Sequence, residues 1–415
     1  MRTPRRTAQL GGTTSAGDAA RALALAARPR RLIEGPALER YETELARRVG
    51  ADFAISFGAG RVALYGILRE LGVGEGDEVI VPLPTHVVVT NAVSYLGAKP
   101  VYADCRLSDF NIDPDGLRAL VGPRTKAILV QHTFGIPGDM EALLGIAAEH
   151  DVPLIEDCVH ALGATWRGRP VGGIGTAGFF STEETKIIST TMGGAGVTSD
   201  PQLAERVRMF QRECPPPGTS LTARRLAKLA LYYLLTQAHV HTVTRPAYEL
   251  LGGYQPLPVP TSHEELAGER PEHYEEGLAA GQAEIALRQL ARLDENLAHR
   301  RRVAAEYATR LEPMGFVAPI VAADAESAWV RYPVRVADRD AAIETLRRRT
   351  VPGTWFTSVQ EEAIRPTLNG YLAGACPKAE QAARELVNLP THPRVGPKDV
   401  VAIVEAMSSV EPACA

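Results

Sequence analysis

The sequence predicts an α/β protein, with a mainly parallel sheet flanked by helices and a second, smaller α/β unit after it. Short runs rich in Val and Ile recur between residues 51 and 200, bounded by Gly, Pro or Asp, as strands are. Stretches of helical periodicity separate many of them, and parallel strands need such crossovers. Past residue 278 the alternation returns on a smaller scale.

Taken in order, residues 1–33 are Arg-rich, contain Gly-Gly and Thr-Thr, and lack a continuous apolar stretch. They read as a flexible extension rather than a signal or transit segment. "ADFAISF" (51–57) reads as a strand and "GRVALYGILREL" (60–71) as a helix. "DEVIVPL" (77–83) is the next strand, followed by a helix through "VVVTNAVSYLG". Further strands are expected at 99–105, 125–132, 152–158, 176–182 and 195–200.

Residues 214–272 break this rhythm. Their apolar part is interrupted by Lys228, Gln237, His239 and His241, which argues against a membrane span. An amphipathic helical insertion over a cleft or a subunit interface is expected, with membrane-surface binding as the alternative. Helical periodicity resumes at 283–297, and a strand at 329–336 and helices at "RDAAIETLRRR" and 397–409 make the smaller unit. The expected division is an extension (1–33), a large domain (34–298) carrying the insertion, and a small C-terminal domain (299–415).

The chain has 415 residues, 45% hydrophobic and 23% charged, with a net charge of −4. That balance is ordinary for a soluble globular protein and gives no general pull toward nucleic acid or anionic membrane. Its five cysteines are scattered without a CxxC, so neither a disulfide framework nor a zinc site is suggested and a reducing cytoplasm fits best.

The chemistry gathers at a few positions. "SFGAGRVALYG" holds Gly58-x-Gly60-x-x-Ala63 between a strand and a helix. A dinucleotide site would also need an acidic residue at the far end of the next strand, and here that end reads Pro82-Leu83-Pro84. A single phosphate at the helix N-terminus remains open, beside a tight turn with no ligand. Asp157 ends an apolar strand, either capping the next segment or facing a protonated heterocyclic nitrogen. Lys186 stands in "GFFSTEETKIISTTMGGAGVT", flanked by Phe179, Phe180, Ile187 and Ile188. A partly dry lysine has a lowered pKa and can form an imine, which arginine cannot; the bland alternative is a lysine reaching out from a core edge. Ser181, five residues earlier, can donate a hydroxyl to a phosphate.

In this order the motifs resemble the DegT/DnrJ/EryC1/StrS family of pyridoxal-phosphate aminotransferases. The stretches that carry the resemblance include "GAGRVAL", "GDEVIVPLPTHVVVTNAVSYLGAKPVYAD", "LIEDCVHALGA", "FFSTEETK", "GGAGVTSD" and "ELVNLPTHP". It covers roughly residues 33–213 and 278–408. The resemblance implies the type I aspartate-aminotransferase fold, with a large domain on a mainly parallel seven-stranded sheet and a smaller C-terminal α/β domain. It implies pyridoxal 5′-phosphate as cofactor, a small-molecule amino donor and keto acceptor as substrates, and a homodimer.

It also implies roles for single residues. Lys186 would bond the cofactor aldehyde and shuttle a proton, and Asp157 would pair with the pyridinium nitrogen. His160 would lie near the phenolic oxygen and His86 would stack on the ring. Ser181 and the backbone at Gly60–Arg61 would hold the phosphate. The chain departs from the family pattern where Arg61 follows Gly60 in place of the common Thr. Glu275 and Gly277 fall in register with an Asn-x-Arg element by which a second subunit reaches the cofactor, and the turn "TTMGGAG" lacks the usual Asp. Arg61 is expected to replace part of the lost cationic contact. Amino transfer from glutamate or glutamine to a sugar, sugar nucleotide or cyclitol ketone leads. Elimination, dehydration or decarboxylation on the same cofactor and a non-catalytic binding protein stay open.

Overall fold

A computed structural model of the chain describes residues 6–9, 12–28, 32–242 and 260–414. Seven strands form the main sheet: β1 (Phe53–Phe57), β2 (Glu78–Pro82), β3 (Lys99–Ala103), β4 (Thr125–Gln131), β5 (Leu154–Asp157), β6 (Ala177–Ser181) and β7 (Gly194–Thr198). Their order is β1-β7-β6-β5-β4-β2-β3. β7 runs antiparallel to both of its neighbours, and the remaining pairings are parallel. Val79, Ile80 and Val81 are all buried, because β2 lies between two strands with helices over both faces, so its sequence reads as a continuous apolar run.

The extension expected at the N-terminus is in fact held in place. Helix α1 (Ala16–Ala26) opens with a capping box, in which Ser15 Oγ accepts from Asp18 N at 3.2 Å and Ser15 N donates to Asp18 Oδ2 at 2.9 Å. Asp18 is fully buried and receives Arg292 at 2.5 Å. Ala22 and Leu25 pack with Leu226 and Leu229 of the helix Thr219–Leu235, which belongs to the insertion. Composition suggests disorder, but a buried apolar face and a capped end outweigh it. Residues 1–5, 10–11 and 29–31 of the expected extension, and 243–259 of the expected insertion, lie outside the described residues.

The expected domain break near residue 299 falls inside one continuous helix, Leu293–Leu311. Leu293 and Leu297 belong to the large core, and Val303, Ala304, Tyr307 and Leu311 to the small one. The small unit pairs strands Arg331–Arg335 and Leu386–Pro390 antiparallel under helices Arg339–Leu346 and Pro397–Met407. Among the described residues no helix is long and apolar enough to cross a membrane.

Candidate active site

Lys186 lies in the turn after β6. Phe179, Phe180, Ile187 and Ile188 are buried on either side, so the lysine emerges from the core edge into a cavity of about 490 Å³. Burial pushes its amine down to about 8, against the pull of Glu183, while Arg331 lowers it further. The amine sits 4.2 Å from the centre of the Trp355 ring. The apolar flanks thus make the neutral amine far easier to reach than in an ordinary lysine.

Asp157 closes β5 and is almost wholly buried. One carboxylate oxygen accepts from Val159 N at 3.1 Å, and the other has no hydrogen-bond partner. Burial raises its carboxyl to about 6, although Val159 N–H and the nearby Lys186 pull the other way. An orphaned buried oxygen of this kind calls for a donor. His160 is also buried, with Nδ1 unpartnered, and stacks on Trp355 at 4.5 Å. Burial, and then Lys186 and Arg331, hold its pKa well below the usual histidine value, so it is neutral.

The phosphate end of the cavity is backbone. The helix Gly60–Glu70 has Ala59 as its N-cap, which offers no side-chain cap. Among the described residues the N–H groups of Gly60 and Arg61 meet no acceptor, and such open donors suit an anion. Ser181 lines the same cavity, and its Oγ accepts from Glu183 N at 3.2 Å, leaving its own proton to donate. The Gly193-Gly194 pair is explained here. A Cβ on Gly194 would stand 2.3 Å from Gly60 N and 2.5 Å from Gly60 Cα. Gly194→Ala is therefore expected to cost roughly 1–3 kcal/mol of stability and to loosen the cradle, read by urea unfolding and by cofactor retention on dialysis.

Gly60, Arg61, His86, Ser181 and Lys186 all line the cavity, with Asp157 and His160 just behind it beside Val159 and Trp355. The expectation for the Arg61 side chain is corrected. Its guanidinium is held by Glu265, with Nη2 2.9 Å from Glu265 Oε2 and Nη1 donating to Pro260 O at 3.0 Å. A buried carboxylate already balances that charge, which leaves the Arg61 N–H rather than its guanidinium open to an anion. Glu275 pairs with Arg270 at 2.5 Å, and Gly277 N donates to Pro215 O at 2.8 Å, so both are engaged within their own chain.

His86 is fixed from both sides. Its Nδ1 caps the helix Val87–Ser94 by accepting from Val88 N at 3.3 Å, and its Nε2 lies 3.2 Å from Glu362 Oε2. Glu362 and Trp355 come from the small domain, and no spacing in the sequence links them to Lys186, so sequence reasoning misses both. The insertion reaches the site twice. Pro260, Thr261, His263 and Leu266 form part of the cavity wall. At the other end Lys228, in the helix Thr219–Leu235, pairs with buried Glu184 at 2.7 Å, two residues before Lys186.

One described group could hold a cation, His132, Glu156 and Cys158. Its Glu156 and His132 atoms are already used. Glu156 accepts from Gly172, Ile174 and Gly175 N–H and lies 3.1 Å from His132 Nε2.

Pyridoxal phosphate fits these residues. An unpartnered carboxylate oxygen waits for a ring N–H, open backbone donors wait for a phosphate, and a lysine with a lowered pKa shares their cavity. The DegT/DnrJ/EryC1/StrS aminotransferase family profile matches residues 15–224 and 274–408. The chain belongs to this family. Like its members, it is a pyridoxal-phosphate-dependent aminotransferase with their α/β fold.

The family match begins at residue 15, so it takes in the capped helix α1. The aminotransferase is 30% identical over 389 residues to the spore coat polysaccharide biosynthesis protein SpsC of Bacillus subtilis, covering 91% of this chain and 90% of that one. It is 31% identical to the dTDP-3-amino-3,4,6-trideoxy-alpha-D-glucose transaminase of Streptomyces venezuelae, covering 91% and 88%. Among solved structures, S. venezuelae DesV in complex with a ketimine intermediate superposes with a TM-score of 0.74, at 29% identity and 94% coverage of each chain.

Proposed function

We propose that this aminotransferase carries an amino group from glutamate or glutamine to the ketone of a sugar, sugar nucleotide or cyclitol, in antibiotic or surface-glycan biosynthesis. The observation that carries the reading is the unpartnered Asp157 oxygen behind the cavity that Lys186 enters. The names of the relatives, a sugar-nucleotide transaminase and a coat-polysaccharide protein, support the acceptor class.

Bound pyridoxal phosphate supplies an aldehyde carbon that carries the amino group and a ring that withdraws electrons. The chain's own residues do the rest. The cradle of Gly60 and Arg61 N–H and Ser181 Oγ would hold the phosphate. Asp157 would hold the ring nitrogen protonated, and His160 and His86 would bind the ring. The Lys186 amine would act as the base that moves a proton between the substrate's amino-bearing carbon and the former aldehyde carbon, both on the face that the lysine reaches. Trp355 and the 260–266 wall bound the cavity around that amine.

We further propose a homodimer located in the cytoplasm. Light scattering would read the assembly.

The test is single-turnover. Glutamate should bleach the yellow holoenzyme and release one equivalent of 2-oxoglutarate, and an added keto-sugar or ketocyclitol should restore the colour. Colour that never changes with glutamate or glutamine would sink the reading.

A further inference from the structure

Four arginines crowd the junction between the lysine-bearing segment and the small domain, Arg300, Arg302, Arg331 and Arg394, and their hydrogen bonds all go to neutral groups. Arg300 is fully buried and donates to Asn296 Oδ1 at 2.8 Å, Val330 O at 3.0 Å and Thr391 Oγ1 at 3.0 Å. Arg331, also buried, lies flat on Trp355 with its guanidinium carbon 3.4 Å from the ring centre. Arg394 donates to Thr14 O at 2.7 Å and Thr236 Oγ1 at 2.8 Å and covers Tyr233. Arg302 Nη2 meets His299 Nδ1 at 2.9 Å.

None of the four forms an ion pair with a carboxylate of the described residues. Guanidinium does not discharge at physiological pH. Glu183 and Glu361 act on buried Arg331 and exposed Arg302 keeps its water, so of Arg302 and Arg394 it is half-buried Arg394 that most needs a counter-charge. Arg302 and Arg394 open onto a cavity of about 530 Å³, separate from the cofactor cavity. Its wall also carries Arg292, which is already matched by Asp18, and exposed Glu295, so the surplus charge is positive. The volume is that of a small-molecule site.

The cavity backs onto the catalytic segment. Gln289 in its wall accepts from Ser189 N at 2.8 Å and donates to Ser189 O at 2.7 Å, and Asn296 donates to Ile187 O at 2.9 Å. We propose that this cavity is a second binding site, for a small oxyanion presenting a phosphate or carboxylate group, gripped between Arg302 and Arg394. Arg302 and Arg394 supply the positive charge on its wall, and Arg394 is already held in place by Thr14 and Thr236.

The experiment is calorimetric titration of the yellow holoenzyme at constant ionic strength, with inorganic phosphate and with succinate in separate runs. Keeping the cofactor bound fills the cradle at Gly60, so phosphate has no second home there. One saturable site is expected for at least one of the two anions, with the cofactor colour unchanged, and the tighter anion names the group recognised. Arg302→Ala and Arg394→Ala should each weaken it at least about tenfold, as loss of a charge-assisted contact does. Arg394 also tethers Thr14, so its variant is compared at equal melting temperature. Among the described residues Arg302 makes one side-chain hydrogen bond, to His299, and its variant decides the matter if the other fails to fold. No saturable heat with either anion, equal affinity in Arg302→Ala, or heat accompanied by loss of colour would overturn the proposal. Bleaching by glutamate in the same preparations reports separately on the aminotransferase reading.

Discussion

Lys186→Ala is expected to lower amino transfer by a factor of about 10⁴ or more and to leave the protein unable to hold the cofactor's yellow form. Two functions end together, covalent capture of the aldehyde and the proton shuttle, and the second alone is worth about 10²–10⁴. Lys186→Arg should be equally inert, because a guanidinium keeps the charge but offers no nucleophilic amine. The cradle and Asp157 remain in both variants, so loose cofactor binding should persist and be recoverable by equilibrium dialysis. The wild-type amine, pushed down to about 8, is neutral in about one molecule in ten at pH 7, against about one in three thousand for an ordinary lysine. Cofactor capture by the apoprotein should therefore accelerate as pH rises through 8 and then level off. Stopped-flow absorbance measures this, and a rate still climbing tenfold per pH unit at 9.5 would show that the lysine is not perturbed.

The second large effect has opposite signs in two states. Asp157 carries a carboxyl raised to about 6 by burial. The folded apoprotein thus holds this proton more tightly than the unfolded chain does. Stability is favoured by the protonated form below about pH 4, falls as pH rises toward 6, and stays lower above it. Two pKa units correspond to about 3 kcal/mol at most. Asp157→Asn removes the charge, so the cofactor-free variant should melt above the wild type at pH 8 and match it near pH 4. With cofactor the order reverses. The carboxylate oxygen that lacks a partner gains a charge-assisted hydrogen bond of about 1.5–3 kcal/mol, which Asn cannot match, and activity should fall about 10- to 100-fold. Paired melting curves, with and without cofactor, make the check. A variant less stable than the wild type in both states would contradict this account of Asp157.

The legible part of the protein is local. The strand runs from Phe53 to Thr198 are found within a residue or two of where Val, Ile and their Gly or Pro boundaries place them. Lys186, Asp157 and Ser181 stand out because each is a polar group attached to an apolar strand, and burying such a group without a purpose is costly. Helix α1 is hidden although its signal is present, since Ser15 and Asp18 stand three residues apart before an alanine- and leucine-rich turn. Arginine content and paired glycines mask that signal. The charge of Arg61 points to a phosphate when taken alone, whereas Glu265, 204 residues away, decides where that charge is spent.

By itself the sequence determined the fold class, the order of the strands' chemistry along the chain and the identity of the lysine and carboxylate, because these depend on periodicity and on neighbours a few residues apart. Tertiary structure alone decided which charges are compensated. It set Glu265 on Arg61, Lys228 on Glu184 and Glu362 on His86, and it left Arg302 and Arg394 facing a cavity. Ion pairing depends on distance in space, and no pattern along the chain records which carboxylate folding will bring within reach of which cation.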